Sequence, residues 1–148
     1  MSRFRWGVLA TGNIAASMAA ALKLVPDAEL YAVASRQKNK ARAIADQWAA
    51  TKAYGSYQAL LADPELAIVY VATPNALHKE NILAALEAGK HVLCEKPLTT
   101  SPEDTDICIK AAKSKNLFLM EAMWTAFFPA MIKAQTLLND GAIGTVRH

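Results

Sequence analysis

A glycine turn near the amino terminus separates an apolar run from an alanine-rich one. It reads Ala10-Thr11-Gly12-Asn13-Ile14-Ala15. The order matches Gly-x-Gly-x-x-Gly/Ala, the turn on which dinucleotide-binding folds hold a pyrophosphate, except that Ala10 replaces the first glycine. Gly12 has no Cβ, so phosphate oxygens can approach its backbone, and Ala15 permits close packing of helix on strand. Ala10 fits this turn if its φ angle is negative. The segment predicts a pyrophosphate site over residues 10–14.

Two other interpretations of this turn were weighed against a dinucleotide site. Gly7 and Gly12 have the spacing of a P-loop, but Asn13 stands where that motif requires a phosphate-binding lysine. This mismatch excludes the P-loop. A tight turn that binds no ligand stays open on these residues alone.

Ser35 and Arg36 follow the second apolar run of the chain. An acidic residue at that place would bind the ribose 2′-hydroxyl of NAD. A hydroxyl and a guanidinium suit a 2′-phosphate better, because arginine donates charge-assisted hydrogen bonds to phosphate and stacks on adenine. The pair therefore favours NADP, with NAD as the second choice. An ordinary exposed role for Arg36 is the alternative.

Two further polar segments each follow an apolar run. Thr73-Pro74-Asn75-Ala76-Leu77-His78 comes after one of them, and Glu95-Lys96-Pro97 comes after the next. Ligands of open α/β sheets bind beyond the carboxyl ends of the strands, so both segments are candidates to contact the ligand of the turn. Neither His78 nor His91 has a set of metal ligands around it in the sequence, and no metal is expected.

Strand-like and helix-like segments alternate along the chain. The predicted strands are Phe4–Ala10, Glu29–Ala34, Ala53–Tyr54, Ala67–Ala72, His91–Cys94 and Leu117–Met120. The predicted helices are Asn13–Leu24, Lys38–Ala50, Tyr57–Ala62, Asn75–Ala88, Pro102–Ser114 and Trp124–Leu138. This alternation predicts βαβ units in an α/β fold with a doubly wound, mostly parallel, Rossmann-like sheet. Another strand is expected to begin at Thr145–His148.

The composition limits the classes of protein that this chain can represent. Its 148 residues are 53% hydrophobic and 20% charged, with a net charge of +3, as in one globular domain. No block of lysine and arginine suggests nucleic acid, and no apolar run reaches the roughly 18–20 residues of a membrane span. Cys94 and Cys108 lie in apolar segments without CxxC spacing. They are interpreted as buried thiols of a protein in the reducing cytoplasm.

The motifs together resemble those of the cofactor domain of the Gfo/Idh/MocA oxidoreductases, over essentially the whole chain. The glycine turn, Thr-Pro-Asn-x-x-His and Glu-Lys-Pro carry this resemblance. Three longer stretches are similar to the branch of dimeric dihydrodiol dehydrogenases and NADP-dependent D-xylose dehydrogenases. They are KAYGSYQALLADPE (Lys52–Glu65), HVLCEKPLT (His91–Thr99) and LFLMEAMWTAFFPA (Leu117–Ala130).

The resemblance implies roles for the strand-end residues. Lys96 would be catalytic, near the nicotinamide and the substrate hydroxyl, where an ammonium can stabilise an alkoxide or assist proton transfer. Glu95 would contact the cofactor or orient Lys96. The segment Thr73, Pro74 and Asn75 would line the cofactor, with Asn75 able to bind ribose.

The resemblance assigns further residues with alternatives attached. His78 would contact the cofactor, or else pack or cap its helix. Glu121 and Trp124 would lie beside the nicotinamide and substrate, and hydrophobic packing is the alternative for Trp124. A cis peptide at Pro97 is common in the family. Ala126 departs from the branch, which has an arginine after Trp-Thr, and this departure removes a cation that could pair with a cofactor phosphate.

The family also sets an expectation for the whole enzyme. Its members carry a second α/β domain with much of the substrate pocket and the dimer interface. Residues 1–148 would then be the dinucleotide-binding domain of a longer, homo-oligomeric enzyme whose second domain begins near 143–148. The C-terminal substrate domain would be absent from this chain.

The expected reaction transfers a hydride between the alcohol of a sugar or cyclic diol and the nicotinamide. The chain alone would bind its cofactor weakly and turn over little. A non-catalytic nucleotide-binding or interaction module is the alternative, and a nucleotide sugar is a further candidate ligand.

Overall fold

The computed structural model describes residues 3–145. Its strands are β1 (Phe4–Leu9), β2 (Ala28–Ala34), β3 (Lys52–Tyr54), β4 (Ile68–Val71), β5 (His91–Cys94) and β6 (Leu119–Glu121). Its α-helices are α1 (Asn13–Leu22), α2 (Lys38–Trp48), α3 (Tyr57–Leu61), α4 (His78–Glu87), α5 (Pro102–Ser114) and α6 (Pro129–Asn139). Short 3₁₀ turns cover Asn75–Leu77 and Trp124–Phe127.

The six strands form one sheet in the order β3-β2-β1-β4-β5-β6, and all neighbours pair in parallel. This order is that of the Rossmann fold. The predicted α/β architecture with a doubly wound parallel sheet is therefore confirmed.

Two predicted helices are divided in the structure, in both cases near a proline. The segment predicted as Asn75–Ala88 begins with a 3₁₀ turn and becomes α-helical only at His78. The segment predicted as Trp124–Leu138 is interrupted at Phe128, which is extended at φ −66° and ψ 137°. A residue before proline is forced out of the helical region by the proline ring, and Pro129 follows Phe128. Residues 146–148 of the strand expected at the carboxyl terminus lie outside the described residues.

The central strands β1, β2 and β4 are buried on both faces because helices cover each side of them. Leu9 and Val71 belong to the core beneath α4 and α5, whereas the adjacent Val8 and Tyr70 belong to the core beneath α1 and α2. Successive side chains of a strand point to opposite faces, so each strand supplies both cores. Helix α6 has no buried residue.

A buried carboxylate fixes the loop between α3 and β4. The Asp63 Oδ2 atom accepts hydrogen bonds from the Tyr54 hydroxyl at 2.6 Å and the Lys52 ammonium at 2.9 Å. Its Oδ1 atom accepts from the backbone N–H of Glu65 at 3.0 Å. Burial acts to raise the pKa of Asp63, but these donors outweigh it and lower the pKa to about 2.

The substitution Asp63→Asn should destabilise the chain by about 2 kcal/mol at neutral pH, since each pKa unit corresponds to roughly 1.4 kcal/mol. The pKa of Asp63 is lower in the folded chain than in the unfolded chain. Its ionised form therefore contributes fully to the free energy of unfolding when the pH is above the unfolded pKa of about 3.9. This contribution is lost as the pH falls towards about 2. Urea unfolding at several pH values should show the two proteins converge in that window. A difference that stays constant down to acid pH would contradict this prediction.

Candidate cofactor site

The carboxyl ends of β1, β2 and β4 meet where the strand order reverses. Backbone hydrogen bonds tie them together, from the N–H of Ala10 to the carbonyl of Ala34 at 3.0 Å and from that of Ala72 to Leu9 at 3.2 Å. A cavity of about 500 Å³ opens at this edge. Its lining residues are Ala10, Thr11, Gly12, Ser35, Arg36, Gln37, Lys40, Tyr57, Ala72, Thr73 and Pro74.

Seven of the residues predicted for the cofactor thus line one cavity. Gln37, Lys40 and Tyr57 line it too, and sequence reasoning missed them. Lys40 had a signal in the sequence, because it is a second cation four residues after Arg36. Tyr57 had none, since it reaches the cavity only through the placement of α3 beside β2.

Gly12 places the amino terminus of α1 at this cavity. Its backbone is extended at φ −80° and ψ 178°, and a Cβ added to it would meet no atom within 4 Å. The space next to its backbone is therefore free for a ligand. The first N–H groups of a helix lack intrahelical partners and carry a partial positive charge, which suits a pyrophosphate. Asn13, the first residue of α1, is exposed beside it.

Ala10 does not meet the condition under which alanine fits this turn. Its φ angle is +88° rather than negative. The chain must reverse sharply between β1 and α1, and the first position of the turn takes the left-handed conformation that glycine adopts without strain. Ala10 adopts it at the cost of a clash between its Cβ and the backbone.

The substitution Ala10→Gly should stabilise the chain by about 1 kcal/mol, because it removes the clash of a Cβ at positive φ. The measurement is the free energy of unfolding in urea. Ala16→Gly, in the interior of α1, is the matched control and should lose about 1 kcal/mol, the ordinary cost of a helical glycine. Equal losses for both variants would contradict the strained turn.

A second cavity, of about 400 Å³, lies beside α1 and is almost wholly apolar. Its lining residues are Ile14, Ser17, Met18, Ala21, Tyr70, Leu93, Glu95, Met120, Ala122, Met123, Trp124 and Phe127. Ile14, Glu95 and Trp124 were predicted to contact the cofactor. Trp124 is 60% exposed, so it is not a core residue in this structure. An apolar cavity with few polar groups suits a planar ring.

Glu95 is the charged group of this second cavity. The hydroxyl of Tyr70 donates a hydrogen bond to its Oε1 atom, and its Oε2 atom accepts the backbone N–H of Lys96 at 3.2 Å. Burial, with Glu95 beside it, raises the pKa of Tyr70, so this phenol stays protonated as a donor. The Lys96–Pro97 peptide bond is cis, as the family resemblance suggested.

Lys96 and Asn75 are exposed at the same edge of the sheet, but neither lines one of the two cavities. Lys96 directly follows Glu95, at the carboxyl end of β5. Asn75 directly follows Pro74, at the start of the 3₁₀ turn. Both are placed near the site by their neighbours in the chain.

His78 is fully buried, and both of its ring nitrogens face backbone carbonyls. Nδ1 lies 2.8 Å from the oxygen of Pro97, and Nε2 lies 2.9 Å from that of Thr73. No ring atom is left for a direct contact with a cofactor. The structure therefore corrects the prediction of a cofactor contact and favours the packing alternative for this residue.

Two classes of site are missing from residues 3–145. No group of three histidine, cysteine, aspartate or glutamate side chains is arranged to hold a metal ion. No helix in that range combines the length and apolar character needed to cross a membrane.

The fold and the turn define a Rossmann domain of the dinucleotide-binding type. Residues 4–123 match the Gfo/Idh/MocA oxidoreductase family, described as having an NAD-binding Rossmann fold. The chain belongs to this family.

Individual relatives support the assignment. The trans-1,2-dihydrobenzene-1,2-diol dehydrogenase of Mus musculus is 41% identical over 97% of this chain and 44% of its own length. The D-xylose 1-dehydrogenase (NADP(+)) of Hypocrea jecorina is 44% identical over 96% of this chain and 39% of its own length. The branch named from the sequence is thereby confirmed. This chain spans less than half the length of these curated relatives.

A solved structure matches the fold closely. The 3-ketoreductase from Actinomadura kijaniata, crystallised with NADP, superimposes with a TM-score of 0.91 at 35% identity. The match covers 99% of this chain and 47% of the ketoreductase. The domain described here is thus a nicotinamide-cofactor domain of the family.

Proposed function

We propose that this chain binds NADP across the two cavities, as the cofactor domain of a dehydrogenase for a sugar or cyclic diol. One observation carries the proposal: the amino terminus of α1 lies between a polar cavity with two cations and an apolar cavity with one carboxylate. The pyrophosphate belongs at Gly12. The adenosine half belongs in the polar cavity and the nicotinamide in the apolar one.

The preference for NADP is argued from the cations of the polar cavity. Arg36 and Lys40 both line it, and within residues 3–145 neither forms an ion pair. Two free cations suit the charge of a 2′-phosphate. Ser35 is buried beside them, and its hydroxyl accepts the N–H of Gln37 at 3.4 Å. Tyr57 offers an aromatic surface to the adenine.

The residues that follow β5 lie at the nicotinamide end of the proposed site, where the hydride would be transferred. NADP, when bound, accepts the hydride that leaves the alcohol carbon. The Lys96 ammonium would donate a hydrogen bond to the alcohol oxygen and stabilise the negative charge that develops there. Glu95 points into the apolar cavity and keeps the adjoining backbone of Lys96 in place through its own acceptor oxygen.

The substrate and the assembly are inferred from the relatives. Their names specify a dihydrodiol and D-xylose as substrates, so a small vicinal diol or sugar is the proposed substrate class. We propose residues 1–148 as the dinucleotide-binding domain, with a second domain beginning near 143–148 and homo-oligomerisation of the full-length enzyme. The exposed apolar side chains of α6, such as Ile132 and Leu138, support a covering partner of this kind. The two free, buried cysteines support a cytoplasmic location.

A non-catalytic nucleotide-binding module is the second candidate, and one observation favours it. Ala10 places a strained residue where the family turn has glycine, and strain at that position weakens the fit of the turn to a phosphate. Both candidate functions include nucleotide binding. They differ in whether hydride transfer takes place at the nicotinamide end of the site.

Titration of the 148-residue chain with NADP should change its tryptophan fluorescence saturably, because Trp124 lines the proposed nicotinamide cavity. In Trp124→Phe the fluorescence response should be lost while calorimetry still detects binding. No response to NADP or NAD by either method would overturn the cofactor proposal. NADP-dependent oxidation of sugars or diols by this chain alone should be barely detectable.

The substitutions Arg36→Ala and Lys40→Ala should each weaken NADP binding about ten- to a hundredfold, since a charge-assisted hydrogen bond contributes roughly 1.5–3 kcal/mol. NAD binding should be nearly unchanged because NAD lacks the 2′-phosphate. Calorimetric titration measures both affinities. Arg42→Ala is the matched control, since Arg42 pairs with Asp46 on α2 outside the cavity. Equal losses for NADP and NAD would contradict the assignment of these cations.

A further inference from the structure

The peptide unit between Pro97 and Leu98 is held at both of its polar ends by side chains from other elements. Its carbonyl oxygen lies 2.8 Å from the Nδ1 atom of His78, the first residue of α4. Its N–H donates to the Oε1 atom of Glu121, the last residue of β6, at 2.7 Å. With the carbonyl of Pro97 against His78 and the N–H of Leu98 bonded to Glu121, both polar groups of the peptide are engaged, and its plane is fixed.

The same contacts join three strand ends. The Nε2 atom of His78 lies 2.9 Å from the carbonyl of Thr73, which follows β4. The held peptide follows β5, and Glu121 ends β6, which pairs with β5. A neutral imidazole has one N–H, and with that proton on Nδ1 the ring of His78 donates to the carbonyl of Pro97 while Nε2 lies against the carbonyl of Thr73. Close polar contacts thus run from the cofactor-lining segment at Thr73 to Glu121, with the backbone just after Lys96 between them.

The side chain of Lys96 is exposed, and within the described residues its amine makes no hydrogen bond or ion pair. No side-chain partner holds this amine, so within the described residues only the backbone of Lys96 is held in place. On the amino-terminal side, Tyr70 holds Glu95. On the carboxyl-terminal side, the Pro97–Leu98 peptide unit has polar side-chain contacts with His78 and Glu121.

We propose that His78 and Glu121 are positioning residues that direct Lys96 by holding the Pro97–Leu98 peptide between them. The inference rests on the proposed function, since it concerns how Lys96 reaches the nicotinamide end of the site. It gives Glu121 a role distinct from the direct contact with nicotinamide and substrate that the resemblance implied. It also explains why a histidine with no access to the cavity occupies this place.

The test measures how bound NADP protects individual lysines from acetylation in the 148-residue chain, read by peptide mass spectrometry. In the unaltered chain, NADP should protect Lys96 at the reactive end and Lys40 at the adenosine end. In Glu121→Leu, protection of Lys96 should be lost and protection of Lys40 kept. In Glu121→Gln, both should be kept, because the amide oxygen accepts the same N–H from Leu98.

Controls separate positioning from general damage to the fold. Glu103→Leu, which removes an exposed carboxylate of α5, should leave both protections unchanged. His78→Phe keeps a ring of similar size without its nitrogens, and should behave like Glu121→Leu. Because His78→Phe removes a buried hydrogen bond and can unfold the chain, the two variants of Glu121 suffice without it.

Two results would overturn the proposal. One is protection of Lys96 that survives in Glu121→Leu, and the other is equal loss in Glu121→Gln. Absence of protection at Lys40 in the unaltered chain would overturn the proposed NADP binding instead. Hydrogen exchange of the Leu98 amide then tests whether Glu121 holds the peptide. If it does, exchange is faster in Glu121→Leu than in the unaltered chain and unchanged in Glu121→Gln.

Discussion

All six strands of the sheet run parallel, and this arrangement gathers their carboxyl ends on one edge. The strand order reverses around β1, so the connections from β1 and β4 leave on opposite faces and open a crevice between them. The unpaired N–H groups at the start of α1 point into this crevice. The glycine turn, Ser35-Arg36, Thr73-Pro74 and Glu-Lys-Pro all reach the site because each follows the end of a parallel strand.

The two cavities at this edge have different chemistry, and the difference matches the two ends of a nicotinamide dinucleotide. The cavity next to β2 has two cations that are free of ion pairs within the described residues. The cavity next to β5 is apolar apart from a few groups, with Glu95 held by Tyr70. A polar, charged end can bind phosphate and ribose in contact with water. An apolar end can exclude water from a reacting carbon.

Several buried polar side chains fix the loops of the site. His78 has both ring nitrogens against backbone carbonyls and donates its one N–H there, and the hydroxyl of Thr73 accepts a hydrogen bond from the Asn81 amide at 3.1 Å. Burying such groups is favourable only if their hydrogen bonds are made, so each one fixes the geometry around it. The residue with the proposed chemical role, Lys96, keeps its amine free.

The sequence by itself determined the fold class, the family and the elements that carry the site. Apolar runs of strand length that alternate with helical segments can fold into only a few topologies. A glycine turn after the first strand forms a phosphate-binding motif from residues that are neighbours in the sequence. The predicted bounds of β5 and α5 also agree with the structure to the residue.

Only the tertiary structure decided four features: the positive φ of Ala10, the burial of His78, the position of Tyr57 at the cavity and the hydrogen bond from Leu98 to Glu121. Each depends on contacts between residues distant in sequence or on how one element must meet the next. Glu121 and Leu98, for example, are 23 residues apart, and nothing in either segment indicates the other. The type of a residue shows which hydrogen-bonding groups it has. The packing of the strands and helices decides which partner lies within hydrogen-bonding distance.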